Sequence, residues 1–288
     1  NHDFVIKPTD IRSRRTALGN GSAGRVTSRK DGRRIAKVRT LRAEFHVHTV
    51  LSPCAEIEML PPLIVDEALA RGILWIAITD HNASANIEAV IQAAKGTQLT
   101  VTPGMEVQTH EEIHSLCLFD TIDQIQAFQQ VVDANLPALD NKPDFFGEQL
   151  IVDETGEFVA REGRLLLNSI TLSIRETWEK VRALGGLLIP AHIDRKAFGM
   201  IANLGLLPID TPIEALEISR HISPEEARAK YPQIGTLPLI KSGDVHRLEE
   251  FLGANELQVE SPRIAELRKA LLQSEGRSMT ILETGPAQ

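Results

Sequence analysis

Short apolar runs alternate with amphipathic stretches over most of the chain. The run 73–79 is almost entirely apolar, which is typical of a strand buried on both faces of a parallel sheet. Before it, Pro61 and Pro62 predict the start of a helix, and Gly72 predicts its end. Because this succession of helix and strand recurs along the chain, the sequence predicts an α/β fold.

The same reasoning places the other elements. The predicted strands are residues 42–48, 73–79, 99–107, 114–119, 187–191, 215–219, 237–242 and 279–282. The predicted helices are residues 61–71, 84–95, 122–134, 173–184, 198–204, 224–229 and 262–274. Residues 149–161 predict a β-hairpin, because the turn signal Glu154-Thr155-Gly156 separates two alternating stretches.

Most histidines lie at the ends of these predicted strands. Six of the nine do so, namely His46, His48, His81, His114, His192 and His246. His46 and His48 are two residues apart on one strand, so their imidazoles point to the same face. One such histidine is explained by an ordinary hydrogen bond. Six of them, together with Asp80, Glu106 and Asp244, indicate a metal site with several ions, because imidazole and carboxylate bind zinc, iron and manganese.

The position of these residues also bears on the topology. Functional groups at strand ends are typical of a (β/α) barrel, whereas an open doubly wound sheet forms its site at one switch point and from fewer strands. Because nearly every predicted strand contributes, the barrel is favoured. The remaining histidines, His2, His110 and His221, are expected at the surface or behind the ligands.

Charge is distributed unevenly along the chain. Residues 1–42 hold 12 Lys/Arg against 3 Asp/Glu, and the rest holds 19 against 36. The acidic body argues against a general nucleic-acid-binding protein. We expect residues 1–41 to be a basic, flexible leader, with contact to nucleic acid or an acidic partner as the alternative. We expect residues 42–288 to form one domain, with a hairpin insert at about 145–164.

The cysteine count and the hydropathy bound the setting of the protein. Two cysteines, Cys54 and Cys117, argue against a disulfide framework and favour a reducing compartment. No apolar run approaches the ~20 residues that a membrane span needs. These observations predict a cytoplasmic protein without a membrane partner.

Five motifs resemble those of the PHP (polymerase and histidinol phosphatase) family. They are H-V-H-T at 46–49, I-T-D-H-N at 78–82, G-M-E-V at 104–107 with E-I-H after it, P-A-H-I-D-R at 190–195 and G-D-V-H at 243–246. The resemblance runs from about residue 42 to the C-terminal strand. It implies a distorted (β/α)7 barrel that binds two or three divalent ions, zinc, manganese or iron, at the C-terminal ends of the strands.

The resemblance also implies ligands for the first two ions. By position, His46 and His48 hold a first ion together with Glu106 and Asp244. Glu106 then bridges to a second ion, which is completed by His114 and His192.

A third ion is implied at His81 and His246. Cys54 lies where some relatives place a histidine. As a ligand it would favour zinc or iron, and a buried cysteine that binds no metal is the alternative. Asp80, next to His81, is expected to orient an imidazole without binding metal.

The function implied is that of a metal-dependent phosphoesterase acting on a small phosphomonoester or a nucleotide, through hydroxide supplied by metal-bound water. Glu106, Asp244, His246 and Arg195 are the catalytic candidates. His246 is expected to protonate the leaving oxygen. Arg195 is expected to clamp the phosphate, with a surface ion pair as the alternative. The competing functions are a nuclease acting on RNA or DNA ends and a non-catalytic, metal-binding regulatory module.

Overall fold

The computed structural model describes residues 37–208 and 210–283, so most of the expected basic leader lies outside the described residues. The strands in the described part are β1 (Arg39–Val47), β2 (Trp75–Ile78), β3 (Thr100–Gln108), β4 (His114–Leu118), β5 (Leu150–Val152), β6 (Phe158–Arg161), β7 (Leu187–Pro190), β8 (Leu216–Ile218), β9 (Leu239–Lys241), β10 (Asn255–Val259) and β11 (Ser278–Ile281). The helices are α1 (Pro61–Ala70), α2 (Ile87–Ala93), α3 (Ile122–Asp133), α4 (Pro143–Phe146), α5 (Ile174–Ala183), α6 (Met200–Leu204), α7 (Pro224–Lys230) and α8 (Ile264–Leu271). The predicted α/β class is confirmed.

Seven strands form one mixed sheet in the order β11-β10-β1-β2-β3-β4-β7. Within it, β1, β2 and β3 are parallel neighbours, and β4 is antiparallel to both β3 and β7. Strands β8 and β9 form a separate parallel pair. Backbone contacts join this pair to the larger sheet. Ile193 donates a hydrogen bond to the carbonyl of Glu217, and Val245 forms a parallel bridge with Val47.

The parallel direction that a (β/α) barrel implies for its strands is not found at β4, β10 and β11. Residues 109–113 are the whole connection from β3 to β4, and a parallel crossover needs a dozen residues or more. As a result, the first residue of β4, His114, lies at the edge where β1, β2 and β3 end. A barrel of seven β/α units remains a prediction.

Strand β10 is absent from the sequence-based assignment, although its pattern was visible. Leu257 and Val259 are buried and alternate with Glu256 and Gln258, which is the period of a strand with one buried face. It pairs antiparallel with β1 and with β11.

Both faces of β1 are buried, and they carry different chemistry. Ala43 and Phe45 point into an apolar cluster in which Phe45 packs edge to face on Trp75, with ring centroids 5.1 Å apart. On the opposite face, Glu44 and His46 are fully buried, and His48 follows them just beyond the end of the strand. The strand therefore anchors the polar residues in a rigid core.

The predicted hairpin is present as the antiparallel pair β5 and β6. It packs on the loop that follows β1, where Leu150 donates a hydrogen bond to the carbonyl of Val50. Gly147 has a φ of 101°, and a Cβ on it would lie 2.1 Å from the carbonyl oxygen of Pro53, so only glycine fits this approach. The hairpin region thus supports the loop next to Cys54.

No described helix is long and apolar enough to cross a bilayer.

Candidate metal centre

The carboxylate of Glu106, near the end of β3, lies among five imidazoles. Its Oε1 is 3.3 Å from His46 Nε2, 2.9 Å from His114 Nδ1 and 3.2 Å from His192 Nε2. Three strands or strand ends therefore place ligand atoms around this one oxygen of β3.

The other oxygen of Glu106 faces two more histidines. Its Oε2 is 3.0 Å from His81 Nδ1 and 3.5 Å from His48 Nε2. Asp244 completes this side, with its Oδ1 3.2 Å from His46 Nε2 and 3.3 Å from His48 Nε2. His246 lies beside Asp244, with 3.4 Å between His246 Nδ1 and Asp244 Oδ1. All eight predicted ligands are thus in one cluster.

Among the described residues, five side-chain atoms of this cluster are buried without a hydrogen-bond partner. Four of them converge, namely His46 Nε2, His48 Nε2, Glu106 Oε2 and Asp244 Oδ1, and the fifth is His192 Nδ1. Buried polar atoms are almost always paired, so four converging lone pairs require an explanation. A divalent cation satisfies them, because two imidazoles and two carboxylates are a common ligand set for zinc, manganese and iron. These residues are also the four that the sequence motifs imply for the first ion.

Two further groups could hold additional cations. One comprises His81, Glu106 and His114, and the other comprises His48, His81 and His246. The motif-based assignment instead joined Glu106 and His114 with His192, and joined His81 with His246. His81 therefore lies between two groups, so the division of ligands between a second and a third ion remains a prediction.

The tautomer of His46 is fixed by a buried carboxylate that the sequence analysis missed. Glu217 on β8 is fully buried, and its Oε1 is 3.0 Å from His46 Nδ1. It also accepts a hydrogen bond from the backbone N–H of His192. With the Nδ1 proton held by Glu217, His46 Nε2 presents its lone pair to a cation. The signal was a lone glutamate within the apolar run 215–219.

His48 is oriented by a chain of hydroxyl and carboxylate. Ser52 Oγ donates to Asp80 Oδ1 at 2.7 Å, so this hydroxyl accepts from His48 Nδ1 at 2.8 Å. Asp80 also accepts from the backbone N–H and the hydroxyl of Thr49. Asp80 therefore orients the imidazole of His48, through the hydroxyl of Ser52. Because this contact uses His48 Nδ1, the other nitrogen, Nε2, is free for a cation.

His114 faces the cluster with Nδ1, whereas His46 and His48 face it with Nε2. Its Nε2 is 3.3 Å from Gln108 Oε1, an oxygen that can only accept, so Nε2 carries the proton and Nδ1 faces Glu106. Gln108 was not among the predicted site residues. Its position two residues after Glu106 on β3, on the same face of the strand, was the available signal.

The charges in the cluster depend on one another. Burial alone raises the pKa of Glu106, but the imidazoles of His114, His46 and His81 lower it well below its usual value. Burial likewise raises the pKa of Asp244, and His46 and His48 lower it well below its usual range. Both carboxylates are therefore ionised at neutral pH, which is the form that binds cations.

A second buried glutamate lies behind the cluster. Burial raises the pKa of Glu44 to about 7, although its carboxylate accepts backbone hydrogen bonds from Gly253, Gly243 and Leu252, and Glu217 raises the pKa further. The contact with Gly243 positions the residue before Asp244. Glu44 was missed, although it lies two residues before His46 on the same face of β1.

Three site residues have backbone conformations that are uncommon for side chains with a Cβ. Their φ angles are 48° at Asn82, 28° at His192 and 50° at Asp244. Strained backbone of this kind occurs where surrounding structure fixes a functional geometry. At Asn82 the amide Nδ2 donates to the carbonyls of Leu166 and Asn168, which ties the segment after His81 to the chain at 166–168.

The outer residues differ in what they contact. Arg195 donates from Nη1 to Asp244 Oδ2 at 2.5 Å, so an ion pair is present, and it is partly buried at the site. The Sγ of Cys54 is 3.1 Å from His246 Nε2. Burial raises the pKa of the Cys54 thiol, but the neighbouring His81 and His246 lower it. The resulting pKa is about 6.

Three other polar residues lie away from the ligands. Arg220 donates to the carbonyls of Gly243 and Glu250, so it holds the loop around Asp244. His110 and His221 are exposed, and His2 lies outside the described residues.

A pocket of about 630 Å³ opens over the cluster. Its lining includes Cys54, His81, Arg195 and His246, and on another side Leu167 and Phe198. None of the residues 145–164 lines it, so the hairpin does not reach the pocket and acts on it only through the loop after β1.

A sequence model of the PHP domain matches residues 44–169. This segment of the chain is therefore PHP-domain sequence. Three of the clustered residues, His192, Asp244 and His246, follow the matched segment in the chain and are brought to it by the fold. No curated protein sequence matches the chain.

Solved structures with a similar fold include two of endonuclease Q. One, from Pyrococcus furiosus, has a TM-score of 0.65 and 18% identity and aligns with 84% of this chain. The other, bound to a 27-mer duplex with an abasic lesion, has a TM-score of 0.62 and 18% identity over 83% of this chain. The chain spans 58% of the length of both. A Bifidobacterium adolescentis protein classed as a metal-dependent phosphoesterase has a TM-score of 0.50 and 17% identity, over 73% of this chain and 90% of that one.

Proposed function

We propose that this PHP domain is a metal-dependent phosphoric ester hydrolase that acts on a small phosphomonoester or a nucleotide. The observation that carries the proposal is the set of four buried, unpaired ligand atoms of His46, His48, Glu106 and Asp244, of which Glu106 and Asp244 line an open pocket. A guanidinium, that of Arg195, lines the same pocket. Cation ligands beside an anion-binding group suit the hydrolysis of a phosphate ester.

The first cation would be held by these four residues, and His81, His114, His192 and His246 would hold one or two more. Such cations lower the pKa of a bound water toward ~7 and neutralise charge that develops on phosphoryl oxygens. Glu217, Ser52 and Gln108 keep the proton on the nitrogen of each imidazole that faces away from the cations.

Arg195 is proposed to bind the phosphoryl group. Among the described residues, only its Nη1 donates a hydrogen bond, to Asp244, so its other N–H groups can take phosphoryl oxygens. The same contact aligns Asp244, whose Oδ1 faces the histidines. Arg195 therefore links the anion to a ligand carboxylate.

We expect Arg195→Lys to lower kcat/KM for a phosphomonoester about tenfold or more, because a lysine keeps the charge and loses the paired donors. Phosphate-release kinetics with metal-loaded protein measure this. Arg161→Lys is the matched control, since Arg161 is exposed on β6 and pairs with Glu148. An equal loss of kcat/KM in both variants would contradict a role of Arg195 in phosphate binding.

His246 is proposed to protonate the leaving oxygen when it does not hold a cation. It lies at the edge of the cluster with a partly exposed side chain. Burial lowers its pKa, but Cys54 and Asp244 outweigh this and raise it. The raised pKa favours the protonated imidazole, which is the form that a general acid needs.

Cys54 is proposed as a ligand of the outermost cation, together with His246 and His81. In protein loaded with cobalt(II), we expect a near-ultraviolet sulfur-to-metal charge-transfer band that disappears in Cys54→Ser. Cys117→Ala is the control, because Cys117 is fully buried on β4, away from the pocket. A band that survives in Cys54→Ser, or its absence from the unsubstituted protein, excludes the thiolate as a ligand.

A nuclease acting on nucleic-acid ends is the second candidate. The fold similarity to endonuclease Q favours it, and the body of the chain, with 19 Lys/Arg against 36 Asp/Glu after residue 42, opposes strong binding of a polyanion. A shallow dependence of any DNA or RNA binding on salt would agree with the acidic body.

The proposed function is tested by incubating zinc-, manganese- or iron-loaded protein with a panel of phosphomonoesters, nucleotides and short single-stranded oligonucleotides. We expect phosphate release from one or more monoesters that stops on chelation and returns on adding metal. Cleavage of oligonucleotides alone would favour the nuclease. No turnover with full metal occupancy would favour a regulatory module.

A further inference from the structure

One wall of the pocket is built from the loop between β7 and α6. At its tip, Phe198 has a φ of 60°, which is a strained conformation for a bulky side chain. A hydrogen bond and a close approach of the backbone fix this conformation. The backbone N–H of His114 donates to the Phe198 carbonyl at 3.0 Å, and a Cβ at Gly199 would lie 2.3 Å from the carbonyl oxygen of Arg195. The loop is therefore locked in the conformation that directs Phe198 to the site.

The strain places an aromatic ring over a candidate metal ligand. The Phe198 ring stacks on the His114 imidazole with centroids 4.4 Å apart and planes inclined by 11°. Phe198 is nevertheless 39% exposed, so the ring is not a core residue. An open aromatic surface beside a reaction centre is a stacking surface for a flat ligand.

The neighbouring residues add polar edges to this surface. Gln108 Nε2 donates to Ser169 Oγ at 2.9 Å, and the Ser169 hydroxyl donates to nothing among the described residues, so its proton faces no protein acceptor. Glu112, on the rim, offers carboxylate oxygens that can only accept. The apolar side chains of Leu167 and Ala197 complete the wall. We call Phe198, Leu167, Ala197, Ser169 and Glu112 the Phe198 wall.

We propose that the Phe198 wall receives the leaving group of the substrate, and that this group is an alcohol that carries an uncharged planar ring with both donors and acceptors on its edge, as a nucleoside does. The Phe198 ring stacks on the base, Ser169 donates to it and Glu112 accepts from it. A leaving group with further phosphates is disfavoured, because Glu112 repels anions there. The proposal rests on the function proposed above and narrows its substrate to nucleoside monophosphates.

The test compares adenosine monophosphate with glycerol phosphate, which has no ring. In Phe198→Leu, we expect the ratio of kcat/KM values for the two substrates to fall about tenfold, mainly through KM for the nucleotide, because stacking on an aromatic side chain contributes that much. Phe198→Tyr should keep the ratio, because tyrosine retains the aromatic ring. The ratio reports on stacking with the base, since a general effect on His114 would change the kcat/KM of both substrates. Metal content is measured in each variant.

Phe145→Leu is the matched control, because Phe145 is 80% exposed and does not line the pocket. An unchanged ratio in Phe198→Leu, or a protein that prefers glycerol phosphate, would overturn the proposal. Binding of adenosine, followed by saturation-transfer NMR, separates it from the proposed function. If no monoester is hydrolysed, adenosine binding that is lost in Phe198→Leu still supports the wall, and no adenosine binding refutes it.

Discussion

Glu106→Gln is expected to abolish most metal binding and to lower phosphate release by at least about 100-fold. Both oxygens of Glu106 face imidazoles, and its pKa is held well below the usual value, so it supplies a full negative charge to the centre of the cluster. Glutamine keeps the size but removes this charge. Metal content by mass spectrometry and phosphate-release rates measure the two effects.

Glu157→Gln is the matched control, because Glu157 is exposed in the hairpin and lies outside the pocket. Thermal unfolding of both variants without metal shows whether folding is kept. A Glu106→Gln protein that is folded, loaded with metal and active would contradict the central role of this carboxylate.

Glu217→Gln is expected to weaken zinc binding by about 10–100-fold, although Glu217 is not itself a proposed ligand. The glutamate holds His46 Nδ1 and the backbone N–H of His192, so it fixes two ligands that lie on different strands. An amide is uncharged, so it no longer strengthens the basicity of the His46 imidazole. Competition with a chromophoric chelator measures the change in affinity.

Glu214→Gln serves as the control for this variant. Glu214 lies three residues earlier in the chain and pairs with Arg268 at the surface, 2.7 Å away. Its zinc affinity should equal that of the unsubstituted protein. If the two variants bind zinc equally well, Glu217 does not act through His46.

The clustering of the candidate ligand residues could be predicted because each lies in a short local motif. His46 and His48 are related by the period of one strand, and Glu106 and His114 lie at the facing ends of two adjacent strands. The residues that orient them could not be found in this way. Glu217 is 171 positions from His46, and nothing local to β1 indicates which strand supplies its partner.

The fold shows the same division between local and distant information. The apolar runs predicted the positions of β1, β2 and β3. The direction of β4 follows from the short connection that precedes it, and the expectation of a barrel did not take that length into account. The contact between Gly147 and Pro53 is also beyond a local pattern, because it joins residues 94 positions apart whose chemistry is unremarkable. Supporting contacts of this kind are set by tertiary packing.

We expect Glu106 and Asp244 to hold a divalent cation together with His46 and His48. The most direct test is an anomalous diffraction map, at the zinc edge, of crystals of the zinc-loaded chain. We predict a peak bounded by His46 Nε2, His48 Nε2 and the two carboxylates, at distances of about 2.0–2.2 Å. A zinc-saturated chain with no peak among these four side chains would contradict the account.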